Sequence, residues 1–134
     1  MNIRGINVND YRKLAKLARK ELKRHPRQAV EKAYLAAVHM ARHLVAASGE
    51  PWHKRTMSAA AIGRAAELVG KNLPRDERTR DVTRALSLAL GQHSACFYEG
   101  LCQDSIVRDA VLSVERASRQ VPALASALDR VMHQ

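Results

Sequence analysis

Arg84-Ala-Leu-Ser-Leu-Ala-Leu-Gly-Gln-His93-Ser-Ala-Cys-Phe97-Tyr98-Glu99-Gly100 is the stretch from which the fold reads. Leu86, Leu90, His93 and Phe97 fall on one face at helical spacing, with Ala89, Cys96 and Gly100 beside them. A helix with that face has to bury it against other helices. Burial would place His93 and Tyr98 at a helix–helix seam, where their polar atoms need partners.

The neighbouring segments repeat the pattern. Pro74 suits a first helical position, with Asp76 and Glu77 in the first turn, so the stretch is expected to run as one helix from there to Gly100. Upstream, Pro26 opens a long helix whose row Ala33, Ala37, Met40, Leu44 and Ala47 ends at Ser48, with Gly49 as the stop. A helix capped by Asn9 or Asp10 is expected to reach about Arg24 through the stripe Tyr11, Leu14, Ala15, Ala18 and Leu22. Ala61, Ala65 and Leu68 mark another from about Met57 to Val69, stopped by Gly70. Downstream, Asp104 or Ser105 caps a helix carrying Val107, Ala110, Val111 and Val114 to about Arg119, and Pro122 either kinks it or starts a sixth. No alternating run argues for a sheet. The expectation is an all-α, up-and-down bundle of four to six helices in one domain over residues 10–134, with residues 1–9 as a flexible arm. Of the 134 residues 46% are hydrophobic but only 4% aromatic, which suits alanine-lined helices in close approach.

Charge bounds the partners. Lys and Arg number 23 against 13 Asp and Glu, a formal +10, which favours a polyanion, nucleic acid above all. The first helix concentrates it: Arg12, Lys13, Lys16, Arg19, Lys20 and Lys23 surround the apolar stripe, and Arg75, Arg78 and Arg80 follow in the connection before Arg84. Solvated faces that only keep the chain soluble are the alternative. Trp52 either anchors its loop to the core or offers a base a stacking surface.

Other chemistry is thin. Cys96 and Cys102 lack zinc-ligand spacing and read as two buried thiols of a reduced cytosol. His39 and His43, four apart, share a helix face, but further ligands are wanting, so no metal and no cofactor is expected. No phosphate loop, nucleophile elbow or catalytic carboxylate pair is present. The N-terminus lacks an apolar leader and no run reaches the ~18 residues of a membrane span, so a cytoplasmic protein without membrane contact is expected. His93 is open to two readings, a satisfied core histidine or a general acid/base.

The order Gln28-Ala-Val-Glu31-Lys32-Ala-Tyr34-x-Ala-x-x-His39, then Gly49, a variable loop, a short helix, His93-x-x-x-Phe97-Tyr98-Glu99-Gly100 and a closing helix resembles a HEPN-type domain. In particular it is similar to small stand-alone prokaryotic proteins with a Leu-His-x-Asn-Phe-Tyr-Glu signature. The likeness spans residues 10 to 120, and the Phe-Tyr-Glu-Gly block carries its specificity. It implies a helical bundle that forms a homodimer, with RNA the common substrate class. In catalytic members an arginine and a histidine four to six residues apart cleave RNA without metal across the dimer. Carried over, His93 would be the acid/base, Arg84 the phosphate stabiliser and Tyr98 an orienting residue. Here eight residues separate Arg84 from His93, and the literal spacing, Arg19 to His25, lies on the first helix. Nucleic-acid binding, RNA ahead of DNA, is therefore the first expectation and a metal-independent ribonuclease the second. A protein–protein adaptor or toxin–antitoxin-type partner, with a possible role in defence, is the third.

Overall fold

The computed structural model describes the backbone of residues 2–3, 6–51 and 58–134, with side chains from Asp10 onward. The chain is an all-α bundle. Its helices are α1 (Val8–Glu21), α2 (Pro26–Ala47), α3 (Ser58–Asn72), α4 (Glu77–Gln92) and α5 (Asp104–Met132), and a π-helix, His93–Tyr98, continues α4. Two two-residue strands, β1 (Asn2–Ile3) and β2 (Ile6–Asn7), pair antiparallel ahead of α1. They are an addition to the strand-free reading, too short for an alternating pattern to register. Trp52 lies outside the described residues.

Two central helices organise the packing. α2 lies against α1, α3, α4 and α5, and α5 in turn against α1, α2 and α4. The expected rows are the core: Ala33, Ala37, Met40 and Leu44 of α2 are almost wholly enclosed, as are Ala61 and Ala65 of α3, Ala85, Leu86 and Ala89 of α4, and Val111 and Val114 of α5. Alanine at so many seams allows close approach, with Tyr11, Met40, Leu44, Ile62, Leu86 and Leu128 as the largest side chains fully buried between them. Tyr11 of α1 meets His43 of α2, and Glu21 of α1 pairs with Lys32 of α2, so these two helices run antiparallel.

Several expected boundaries shift, each for a local reason. α1 stops at Glu21 rather than Arg24, because Pro26 keeps His25 out of the helical conformation and residues 22–24 form the turn between. Helix α3 passes through Gly70 to Asn72, whose side-chain amide bonds the Leu68 carbonyl at 2.9 Å. Pro74 is not the first residue of α4. Asp76 caps it instead, accepting from the Thr79 amide at 3.0 Å while the Thr79 hydroxyl accepts from the Asp76 amide at 3.0 Å. The Thr79 amide bond, with the Arg78 charge adding to it, holds the Asp76 carboxyl below its usual range. α5 begins without a side-chain cap from Asp104 or Ser105, its Gln103 carbonyl accepting from Ile106 and Val107. Pro122 starts no sixth helix; α5 continues through it to Met132.

Gly49 ends α2 as expected. Its φ of +90° suits glycine, and a Cβ there would come within 2.7 Å of the His133 ring. Just beyond, Glu50 takes a bidentate bond from Arg64 of α3, which pins the chain leaving α2 and holds the Glu50 carboxyl below its usual range.

Candidate nucleic-acid interface and aromatic site

The π-helix is a widening of α4, closed by bonds such as Glu99 N to Ser94 O and Leu101 N to Ala95 O, with Gly100 at φ +75° turning the chain out. It changes where the opening stretch points its side chains. Leu86 and Cys96 are enclosed and Phe97 is half-buried, yet Tyr98 is 70% exposed and does not sit at a seam. The wider turn breaks the regular helical period, which rotates Tyr98 out to solvent. Cys96 and Cys102 are joined as a disulfide rather than held as free thiols. A left-handed turn at Gly100 brings the two together across six positions, a geometry that sequence spacing does not reveal.

His93 sits in a built environment. Its Nδ1 lies 3.0 Å from a carboxylate oxygen of Glu31 on α2. The imidazole lies flat on the Tyr34 ring, centroids 3.6 Å apart and planes within 3°, and Phe97 follows at 5.7 Å and 9°. Tyr98 meets the imidazole edge-on at 4.8 Å. Arg27 of α2 donates two bonds to the Phe97 carbonyl, at 2.5 and 3.2 Å, tying the π-helix to α2. Burial pushes the Tyr34 hydroxyl above its usual value, with the Ser58 hydroxyl opposing. Glu31 on Nδ1 leaves Nε2 as the atom through which His93 could take or give a proton. Glu31 and Tyr34, three apart on α2, are the site residues a pattern of single helices leaves unassigned; their shared face is the available signal.

Arg84 is engaged elsewhere. It forms an ion pair with Asp109 of α5, whereas His93 is held by α2, so each member of the expected catalytic pair is bound to a different helix. Nor do His39 and His43 act together. His43 is fully enclosed with its Nδ1 3.0 Å from the Tyr11 hydroxyl, and His39 is half-buried. Burial lowers both imidazoles from their ordinary value, and for His39 the Arg42 charge adds to it. Among the described residues no group of three or more His, Cys, Asp or Glu side chains is placed to hold a metal.

The basic residues are presented as a surface. Arg12, Lys13, Lys16, Arg19 and Lys20 are exposed on α1 and Lys23 in the turn after it, as are Arg75, Arg78 and Arg80 around the start of α4. Arg12, Lys16 and Arg19 fall on the side of α1 that faces α5. There they line a cleft of about 260 Å³ with Glu115, Ser118 and Arg119. Arg19 Nε bonds Glu115 at 2.7 Å across it. A second cleft, between α3 and α4, has Arg75 and Arg80 on its walls with Thr79 and Thr83, and Arg78 and Arg130 of α5 are among the residues that line a third.

No curated protein and no solved structure matches this chain. A family model does match, over residues 6–117, which takes in α1 to α4, the π-helix that carries the aromatic site, and the first half of α5. On that match the chain belongs to the archaeal PaREP1/PaREP8 family.

Proposed function

We propose that this protein is a HEPN-like nucleic-acid-binding module, with RNA preferred to DNA, whose contact surface is α1 together with residues Arg75 to Arg84. One observation carries the reading. Five cations of α1 and Lys23 in the turn after it face outward and, among the described residues, Arg19 alone of these six is held in an ion pair. Unneutralised cations along one helix release counterions when they meet phosphates, and that release is the main source of sequence-independent affinity. The choice of RNA, and of a homodimer as the working unit, leans on the resemblance of the Phe97-Tyr98-Glu99-Gly100 block to HEPN-type proteins.

The test is fluorescence anisotropy with a labelled single-stranded RNA, titrated from about 50 to about 200 mM salt. Engagement of about four phosphates gives a slope of log K against log salt near −3, and Lys13→Ala or Lys20→Ala makes it shallower by about 0.7. An affinity indifferent to salt, or none at the lowest salt, overturns the reading. Salt-insensitive capture of a protein would then support the adaptor.

The ribonuclease reading retains one favourable observation, the Glu31 carboxylate on His93 Nδ1 with the exposed Tyr98 ring at the imidazole edge. It requires Arg84 to exchange Asp109 for a phosphate near His93 of a second copy.

A further inference from the structure

We propose that the α1–α5 cleft seats one phosphate of the bound RNA backbone, with Arg119 and Arg19 as its guanidinium ligands and Arg12 and Lys16 as flanking charges. The inference rests on the RNA-binding reading and adds a defined seat to it, built in part from a helix to which the sequence pattern assigned no binding role.

The cleft draws its cations from two helices. Arg12, Lys16 and Arg19 are spaced by four and three residues and form one row on α1. Arg119 enters from α5, giving four cations and one acid around about 260 Å³. Like charges converging on one space repel unless an anion fills it, and Glu115 answers only one of the four. Its bond engages Arg19 through Nε, which fixes that guanidinium at the rim and keeps the terminal nitrogens for a ligand. Ser118 forms the floor. It is almost fully enclosed, and its hydroxyl donates to the Glu115 carbonyl at 2.6 Å, so it adds neither bulk nor a competing charge. Two guanidinium groups lining one small space suit a phosphate, whose non-bridging oxygens can take a bond from each fork.

Wild type, Arg119→Ser, Arg119→Lys, Glu115→Gln and Lys71→Ser are compared for binding the labelled single-stranded RNA at about 100 mM salt. Lys71, exposed on α3 and paired with Glu67, removes the same charge away from the cleft. A seat predicts a loss of about tenfold for Arg119→Ser and a slope shallower by about 0.7, with Lys71→Ser within about twofold of wild type. Arg119→Lys keeps the charge but loses the fork, so it falls clearly below wild type. Glu115→Gln removes the competing acid and tightens binding, an outcome that no folding defect mimics. If wild type does not bind, the RNA reading fails. If wild type binds while Arg119→Ser matches Lys71→Ser, or Arg119→Lys matches wild type, the seat is overturned and RNA binding stands. Inorganic phosphate that displaces RNA beyond chloride at equal ionic strength assigns the same seat to a free phosphate. Absence of displacement, with the variant losses intact, assigns it to the backbone alone.

Discussion

Tyr11 and His43 are polar side chains placed in the middle of an alanine-lined core. Each is fully enclosed, they satisfy one another at 3.0 Å, and His43 Nε2 has no partner among the described residues. A proton on His43 would bury an uncompensated charge, so burial depresses this imidazole below its ordinary 6.5, and His39 moves the same way. In the unfolded chain both accept a proton as pH falls through that ordinary value, while the folded chain resists. Their contribution to stability is therefore complete above about pH 6.5 and is lost as pH falls from there through the folded values. Urea unfolding should show a flat plateau at neutral pH and then a decline of at most about 1.4 kcal/mol per pH unit for each of the two histidines. His43→Gln should flatten that decline, and a wild-type profile already flat below neutrality would refute the assignment. Glu50, Glu67 and Asp76, all held below their usual carboxylate values, act in a more acidic window. This residue-scale chemistry was half legible. The sequence shows His39 and His43 on one helix face, but Tyr11 lies 32 residues from His43, and Glu31 lies 62 from His93. Partners so distant are created by the fold.

α2, whose two ends are set by backbone chemistry, reads correctly from sequence, whereas the proline and glycine signals at Pro74 and Gly70 mark no helix end. α2 starts at Pro26 and closes on Gly49 because a fixed φ and a positive φ leave little choice. Pro122 was ambiguous for the opposite reason: proline suits a first helical turn and is also carried in helix interiors at a cost that tertiary packing can offset. The π-helix left no pattern at all, since its apolar residues occur at spacings an ordinary helix also uses. It is held from outside by Arg27 on the Phe97 carbonyl and from within by the Cys96–Cys102 disulfide, Cys96 being enclosed with Val30 and Val107. Opening that short loop should lower stability by about 2 kcal/mol, measured as a reduced urea midpoint with tris(2-carboxyethyl)phosphine present. Cys102→Ser should show the same loss and no further response to reductant. A wild type equally stable with and without reductant would mean that α2 alone holds the π-helix.

Across the whole molecule the two candidate sites are assembled in different ways. The aromatic site joins α2 to the π-helix, and its histidine is committed to Glu31 and Tyr34. The basic cleft joins α1 to α5, with its cations open to solvent. The first resembles a support for the end of the bundle; the second resembles a surface waiting for an anion. Among the described residues no helix is long and apolar enough to cross a membrane. Arg84 and His93, tied to α5 and α2 respectively, could complete a phosphate-cleaving pair only across two copies, and only if Arg84 gives up Asp109. End-labelled single-stranded RNA incubated in EDTA should therefore stay intact with wild type and with His93→Ala alike, at protein concentrations where anisotropy shows the RNA bound. Asp109→Ala, which releases Arg84, is the sharper version of the same assay. Cleavage by wild type, or by Asp109→Ala, that disappears when His93→Ala is added would restore the enzyme and require an interface that brings the α4 arginine of one copy to the π-helix of the other. Intact RNA in every lane would leave the basic cleft as the working part of the molecule and the His93–Glu31 pair as the fastening that holds the π-helix to α2.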